Sequence, residues 1–199
     1  MCSWCWGYSR ILKQVLGGLP PNVEVVRLLG GLAKDTDEPM PAEMRIRLER
    51  TWQRIENEMP GIKFNFDFWR NCSPRRSTYL SCRAVIAARQ QGTEFDERMT
   101  EAIQQAYYQQ ARNPSDATTL IELANELELD IGRFTEDLYS QQTQITFQSE
   151  LNKVRSFCVN SFPYLLLDHN NEISDIPIIY TDSSPTLSLI LRFINAPVI

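Results

Sequence analysis

Between residues 41 and 153 the chain is written almost throughout in apolar residues spaced by threes and fours, whereas runs that read as strands occur only near its two ends. No feature constrains the fold more. Strand material split by a long helical stretch calls for one small α/β unit interrupted by an all-helical segment. The spacing predicts helices over residues 41–58, 77–90, 95–112, 116–127 and 131–153, punctuated at Pro60-Gly61, Ser73-Pro74, Gly92, Asn113-Pro114 and Asp130. Before this block, residues 6–16 carry Ile11, Leu12, Val15 and Leu16 at helical spacing and stop at Gly17-Gly18. Residues 23–29 are β-branched and end at Gly30-Gly31, which predicts a strand. After the block, residues 162–167 and 176–180 read as two strands about an Asn170-Asn171 turn, and residues 186–195 as a closing helix. The apolar stripes of the block, with Trp52, Trp69, Tyr107 and Tyr108 among them, read as packing between helices.

Composition narrows the setting. With 25 acidic against 20 basic residues the net charge is −5, which lacks the basic footprint that nucleic acid requires. No stretch is long and apolar enough to span a membrane, and no leader pattern precedes the first helix. Five cysteines is an odd number, and Cys72, Cys82 and Cys158 lie far apart, so the reading is a reducing cytoplasm rather than a secreted disulfide framework.

Against that background, Cys2-Ser3-Trp4-Cys5 stands directly before the first helix. Such a pair is half of a zinc site, a disulfide staple or a redox dithiol. Zinc needs two further ligands, and only single cysteines and His169 are on offer. A chain of 199 residues has no need of a staple. For a redox pair the position has a physical reason. The thiolate is the reactive form, and the free N–H groups and dipole of a helix N-terminus favour negative charge on Cys2. Cys5, one turn later, is within reach of a mixed disulfide formed on Cys2.

The segments Met1-Cys2-Ser3-Trp4-Cys5-Trp6-Gly7, Gly30-Gly31-Leu32, Ser81-Cys82-Arg83-Ala84-Val85 and Val159-Asn160-Ser161-Phe162-Pro163 resemble, in this order, the DsbA-like thioredoxin-fold family, in its cytoplasmic disulfide-isomerase and FrnE-type branch. The resemblance spans essentially the whole chain. It implies an α/β, thioredoxin-like fold with a large all-helical insertion, in which residues 1–35 and 159–199 form the thioredoxin-like part of a single unit and residues 36–158 the insertion. It also implies a thiol-disulfide oxidoreductase with Cys2 as nucleophile and Cys5 as resolving thiol. Pro163 would be cis, with Phe162, Pro163, Ser3 and Trp4 contacting substrate. No metal or bound organic cofactor is implied. Partners would be protein or small-thiol disulfides, with glutathione as a co-substrate and with neither nucleic acid nor membrane.

Two rival readings remain beside it. Kappa-class glutathione transferases and 2-hydroxychromene-2-carboxylate isomerases share the layout but typically carry serine at the nucleophile position. A redox-silent peptide-binding module would use the groove beside Pro163 without chemistry. Among the remaining candidates, Cys82 reads as core, Cys158 as a buried thiol near the Phe-Pro turn, and His169 as a solvent-facing imidazole. Cys72 lies in Arg70-Asn71-Cys72-Ser73-Pro74-Arg75-Arg76, a loop whose arginines suit a carboxylate or simple solvation. Finally, relatives place a central strand ahead of the CxxC helix. An open slot beside residues 23–29 and 162–167 would leave backbone groups unpaired, so the expectation is about ten further residues upstream or another segment in that slot.

Overall fold

The computed structural model describes residues 1–195, so the last four residues of the 159–199 segment lie outside the described residues. Nine helices and two strands follow one another among them: α1 Ser3–Gly17, α2 Ala42–Glu58, α3 Phe68–Asn71, α4 Tyr79–Arg89, α5 Phe95–Tyr108, α6 Ala117–Glu126, α7 Ile131–Tyr139, α8 Gln141–Ser156, β1 Leu165–His169, β2 Glu172–Ile176 and α9 Ser184–Asn195. The helical block forms largely as its periodicity predicts, but the short α3 is an addition and the 95–112 run stops at Tyr108. The 131–153 run is two helices, because Ser140 leaves the helical region (φ −67°, ψ 150°) and its side chain caps α8 by accepting the Thr143 N–H.

Helix α4 is the hub of the block. It packs against α5, α6, α7 and α8 at once. Its buried Ala84, Ala87 and Ala88 have no bulk to hold neighbours off, so Leu120, Leu123, Phe134 and Leu138 close directly over it. A second core surrounds Trp52, whose ring meets Phe64, Phe68, Trp69, Tyr107 and Tyr108 at centroid distances of 4.9, 5.9, 4.8, 5.4 and 5.5 Å. These rings pack mostly edge-on or tilted, as their quadrupoles favour.

The ends of the chain form a smaller core of Tyr8, Ile11 and Val15 from α1, Ile176 at the end of β2 and Ile190 from α9. Strands β1 and β2 pair antiparallel with Leu165 opposite Ile176 and His169 opposite Glu172. Asn170 and Asn171 turn the hairpin with φ of 53° and 65°, the left-handed pair a two-residue loop requires. The second strand is therefore residues 172–176 and not 176–180. A two-residue loop fixes the register from the turn outward, and Pro177, with no N–H, cannot extend the ladder.

The predicted strand at residues 23–29 is not a strand. Among the described residues the sheet has only β1 and β2, and nothing pairs with this segment. Side chains hold it instead. The Leu29 N–H donates to Glu150 Oε2 at 2.9 Å, and Arg27 reaches Asp96 at 3.0 Å, while Val25 and Val26 stay 55% and 62% exposed. β-branched composition favours a strand only where a partner supplies the ladder.

Candidate active site

Cys2 is the N-cap of α1, with extended backbone (φ −98°, ψ 110°), and its sulfur stands where a capping oxygen usually does: Sγ accepts the Cys5 N–H at 3.2 Å. On its other side the Cys2 thiol donates to the Phe162 carbonyl at 3.4 Å, and the Phe162–Pro163 bond is cis. The motif at one end of the chain and the Phe-Pro step near the other thus meet. Both cysteines are free thiols and half-buried.

Their electrostatics are asymmetric. A hydrogen bond from the Cys5 side chain, opposed by burial and helped by the Cys5 and Trp4 amides, holds the Cys2 thiol below the ordinary cysteine value. Cys5 is pushed far up, because Cys2 accepts its proton in that hydrogen bond and because burial and the neighbouring negative sulfur disfavour a second charge. Of the two thiols, Cys2 is therefore the easier to ionise, and the hydrogen bond from Cys5 favours its thiolate.

Ser3 and Trp4 face opposite surroundings. Ser3 is buried and its Oγ accepts the indole N–H of Trp52 at 3.0 Å, a bond from α2 into the middle of the CxxC motif. Trp4 is half-buried, edge-on to Tyr180 at 5.3 Å, with the Arg54 guanidinium over its ring at 5.3 Å. Trp6 stacks on Tyr108 at 5.5 Å. Burial raises the Tyr180 phenol to about 12, and the charge on Cys2 and Cys5 adds to the shift. The Tyr108 phenol is raised well above its ordinary value, by burial first and then by the neighbouring Tyr107 and Cys2. Both rings wall the motif, Tyr180 against Trp4 and Tyr108 against Trp6.

Phe162 itself has a seat. A Cβ added to Gly30 would lie 2.0 Å from Phe162 Cζ, so the ring rests directly on the Gly30 backbone. Gly31 follows with φ +52°, a conformation that suits glycine, and Thr78 Oγ1 secures the next turn by accepting the Leu32 and Ala33 N–H groups at 2.9 Å each.

The other cysteines are also free thiols. Cys82 is half-buried on α4 beside Ile86, Phe147 and Leu151, and burial lifts its thiol to about 12, consistent with packing. Cys72 donates to the Ala111 carbonyl at 3.0 Å. Cys158 is exposed just beyond α8, not buried as the sequence suggests, because it lies past the last turn of the helix, in a left-handed residue (φ +58°) outside the packed face. His169 is half-buried on the hairpin. Tyr180, Arg54 and Gly30 were not legible as site residues, and Trp52 and Tyr108 read only as core. Each is brought to the motif by long-range packing, which leaves no local pattern.

A sequence model of the thioredoxin family matches residues 1–185. The chain belongs to this family. Its fold is the DsbA-like form of the thioredoxin fold, mostly helical with a small two-stranded sheet. A protein from Nitrosomonas europaea assigned as a disulfide isomerase superposes with a TM-score of 0.81 at 23% identity, over 97% of this chain and 92% of that one. The cytosolic disulfide reductase DsbM from Pseudomonas aeruginosa superposes at 0.80 with 19% identity, over 99% of this chain and 96% of that one. DsbM has also been solved with glutathione, and that structure superposes at 0.77. Among curated relatives, the ClpXP adapter protein SpxH of Bacillus subtilis is 25% identical over 185 residues, covering 89% of this chain and 59% of SpxH. The chain thus spans about three fifths of the length of that relative.

Proposed function

We propose that this thioredoxin-family chain is a thiol-disulfide oxidoreductase that works through the Cys2/Cys5 dithiol. The observation that carries the reading is the position of the Cys2 sulfur, between the Cys5 N–H at 3.2 Å and the Phe162 carbonyl of the cis Phe-Pro step at 3.4 Å. The first supports Cys2 as the nucleophile, since a helix N-terminus favours a thiolate there. The second puts backbone beside it, against which an extended disulfide substrate can lie.

In the reductive direction the Cys2 thiolate attacks one sulfur of a substrate disulfide. A Cys2–substrate disulfide forms and the other substrate sulfur leaves as a thiolate that takes up a proton. Cys5 then gives up its proton and attacks the Cys2 sulfur. This closes a Cys2–Cys5 disulfide and releases the second substrate thiol, so the substrate gains two electrons and the pair loses two. A small thiol such as glutathione, oxidised in turn, restores the dithiol in a reducing cytoplasm. Run backwards, the same steps oxidise a substrate, and the potential of the pair against its surroundings sets the direction. Substrates are protein or small-thiol disulfides. Ser3, Trp4, Phe162 and Pro163 border the sulfur they approach.

Substitution separates the roles. Cys5→Ser is expected to accumulate mixed disulfides through Cys2, because the escape step is gone while the nucleophile remains; Cys2→Ser is expected to capture almost none. Equal capture by the two variants overturns the assignment. Absence of a reversible Cys2–Cys5 couple in a glutathione redox buffer points instead to a redox-silent peptide-binding module.

A further inference from the structure

The Arg70–Arg76 loop is not used by the dithiol chemistry, and the structure divides its arginines. Arg70 pairs with Asp67 at 3.4 Å, and Arg75 with Asp116 at 2.6 Å. Arg76 has no ion pair among the described residues, nor has Arg47 of α2. Both line one cleft of about 160 Å³, bounded by α2, the segment after Gly31 and the 74–78 and 113–115 turns. Met1, bonded to Cys2, forms part of its wall, with Leu48 and Phe68 among the apolar lining. Among the described residues, three arginines and no carboxylate line this space, in a chain of net charge −5.

We infer that this cleft is a binding site for the free carboxylates of a small peptide thiol, held by Arg47 and Arg76. The choice of a thiol-bearing ligand rests on the oxidoreductase reading above; the carboxylates rest on the cleft. Arginine presents a planar fork that matches a carboxylate with two parallel N–H···O bonds. Two such forks line this one cleft, and both side chains are exposed, open to an anion arriving from solvent. Arg75, already held by Asp116 and the Ser115 carbonyl, keeps the wall in place rather than binding. The cleft's volume suits the carboxylate end of a short peptide, and the apolar lining suits its methylenes.

The test uses S-methylglutathione, which carries the carboxylates but cannot exchange disulfides, with calorimetric binding at low salt. Wild-type protein is expected to bind it, and Arg47→Gln and Arg76→Gln to bind roughly tenfold more weakly each. Arg50→Gln, an exposed arginine of the same helix outside the cleft, serves as the control and is expected to leave binding unchanged. The diethyl ester of the ligand is expected to bind as weakly as the two cleft variants allow. No binding by wild type, wild-type affinity in both cleft variants, or an equal loss in Arg50→Gln each overturns the site. Its failure is distinct from failure of the dithiol reading. Arginine-dependent binding without a reversible Cys2–Cys5 couple refutes only the chemistry, and a working couple without such binding refutes only the cleft.

Discussion

The indole N–H of Trp52 donates to Ser3 Oγ across 3.0 Å, tying the second helix to the interior of the CxxC motif. Both partners are buried, so neither can turn to water when the other is removed. Trp52→Phe and Ser3→Ala are each expected to destabilise the fold, Trp52→Phe also through lost ring volume. The double variant is expected to lose about 1 kcal/mol less than the sum of the two. Urea denaturation of the four proteins in this cycle measures the difference; strict additivity would mean that the bond contributes nothing.

Acidity at the pair gives a second outcome. The Cys5 side chain is the foremost cause of the lowered Cys2 value, so Cys5→Ala is expected to raise the pH midpoint for alkylation of Cys2, and Cys5→Ser, which keeps a donor, to raise it less. The sign for stability follows. Cys2 is lowered by folding, so its contribution is present above the unfolded thiol value and lost as pH falls through the folded one. Cys5 is raised, so its contribution is present below the unfolded value and lost as pH rises. Denaturation of reduced Cys2→Ser and Cys5→Ser against pH should therefore diverge from wild type in opposite senses about the unfolded thiol value.

Gly30→Ala is expected to displace the Phe162 ring, since the added methyl falls 2.0 Å from Cζ. The overlap is expected to cost about 1–3 kcal/mol, and to move the Phe162 carbonyl away from Cys2. Slower disulfide exchange together with lower stability is the result to look for. Gly17→Ala, at a glycine with open space around it, is the comparison that should show no such loss of exchange.

Ser140→Ala removes the side-chain cap of α8 and is expected to lower stability by about 1 kcal/mol with no change in thiol reactivity. Thermal unfolding monitored by circular dichroism, alongside the alkylation rate of Cys2, checks both halves.

Local chemistry was legible in the sequence wherever it sufficed. The CxxC pair ahead of Ile11, Leu12 and Val15 announced a helix N-terminus, and Asn170-Asn171 announced the hairpin, because a capping position and a left-handed turn are decided within a few residues. What depends on a distant partner was not legible. Residues 23–29 have strand composition but no neighbour to complete a ladder. The break at Ser140 was hidden because apolar spacing continues through it from Phe134 and Leu138 to Phe147 and Leu151. The four-residue α3 is too short to show a period. Trp52 looked like core and is core; that its one polar atom reaches Ser3 is set by how α1 lies against α2.

The Cys2–Phe162 contact closes a loop of 160 residues, and Leu29 is tied to Glu150 across 121. Closures this long come late, after the local helices have formed. Both thiols precede in sequence Phe162, Tyr180 and Tyr108, which shelter them. On a growing chain they emerge as ordinary exposed cysteines, and they acquire their unequal acidity and their aromatic walls only when the hairpin docks. Reactivity is in this sense a late product of synthesis: a nascent chain truncated before Phe162 carries the motif without its environment.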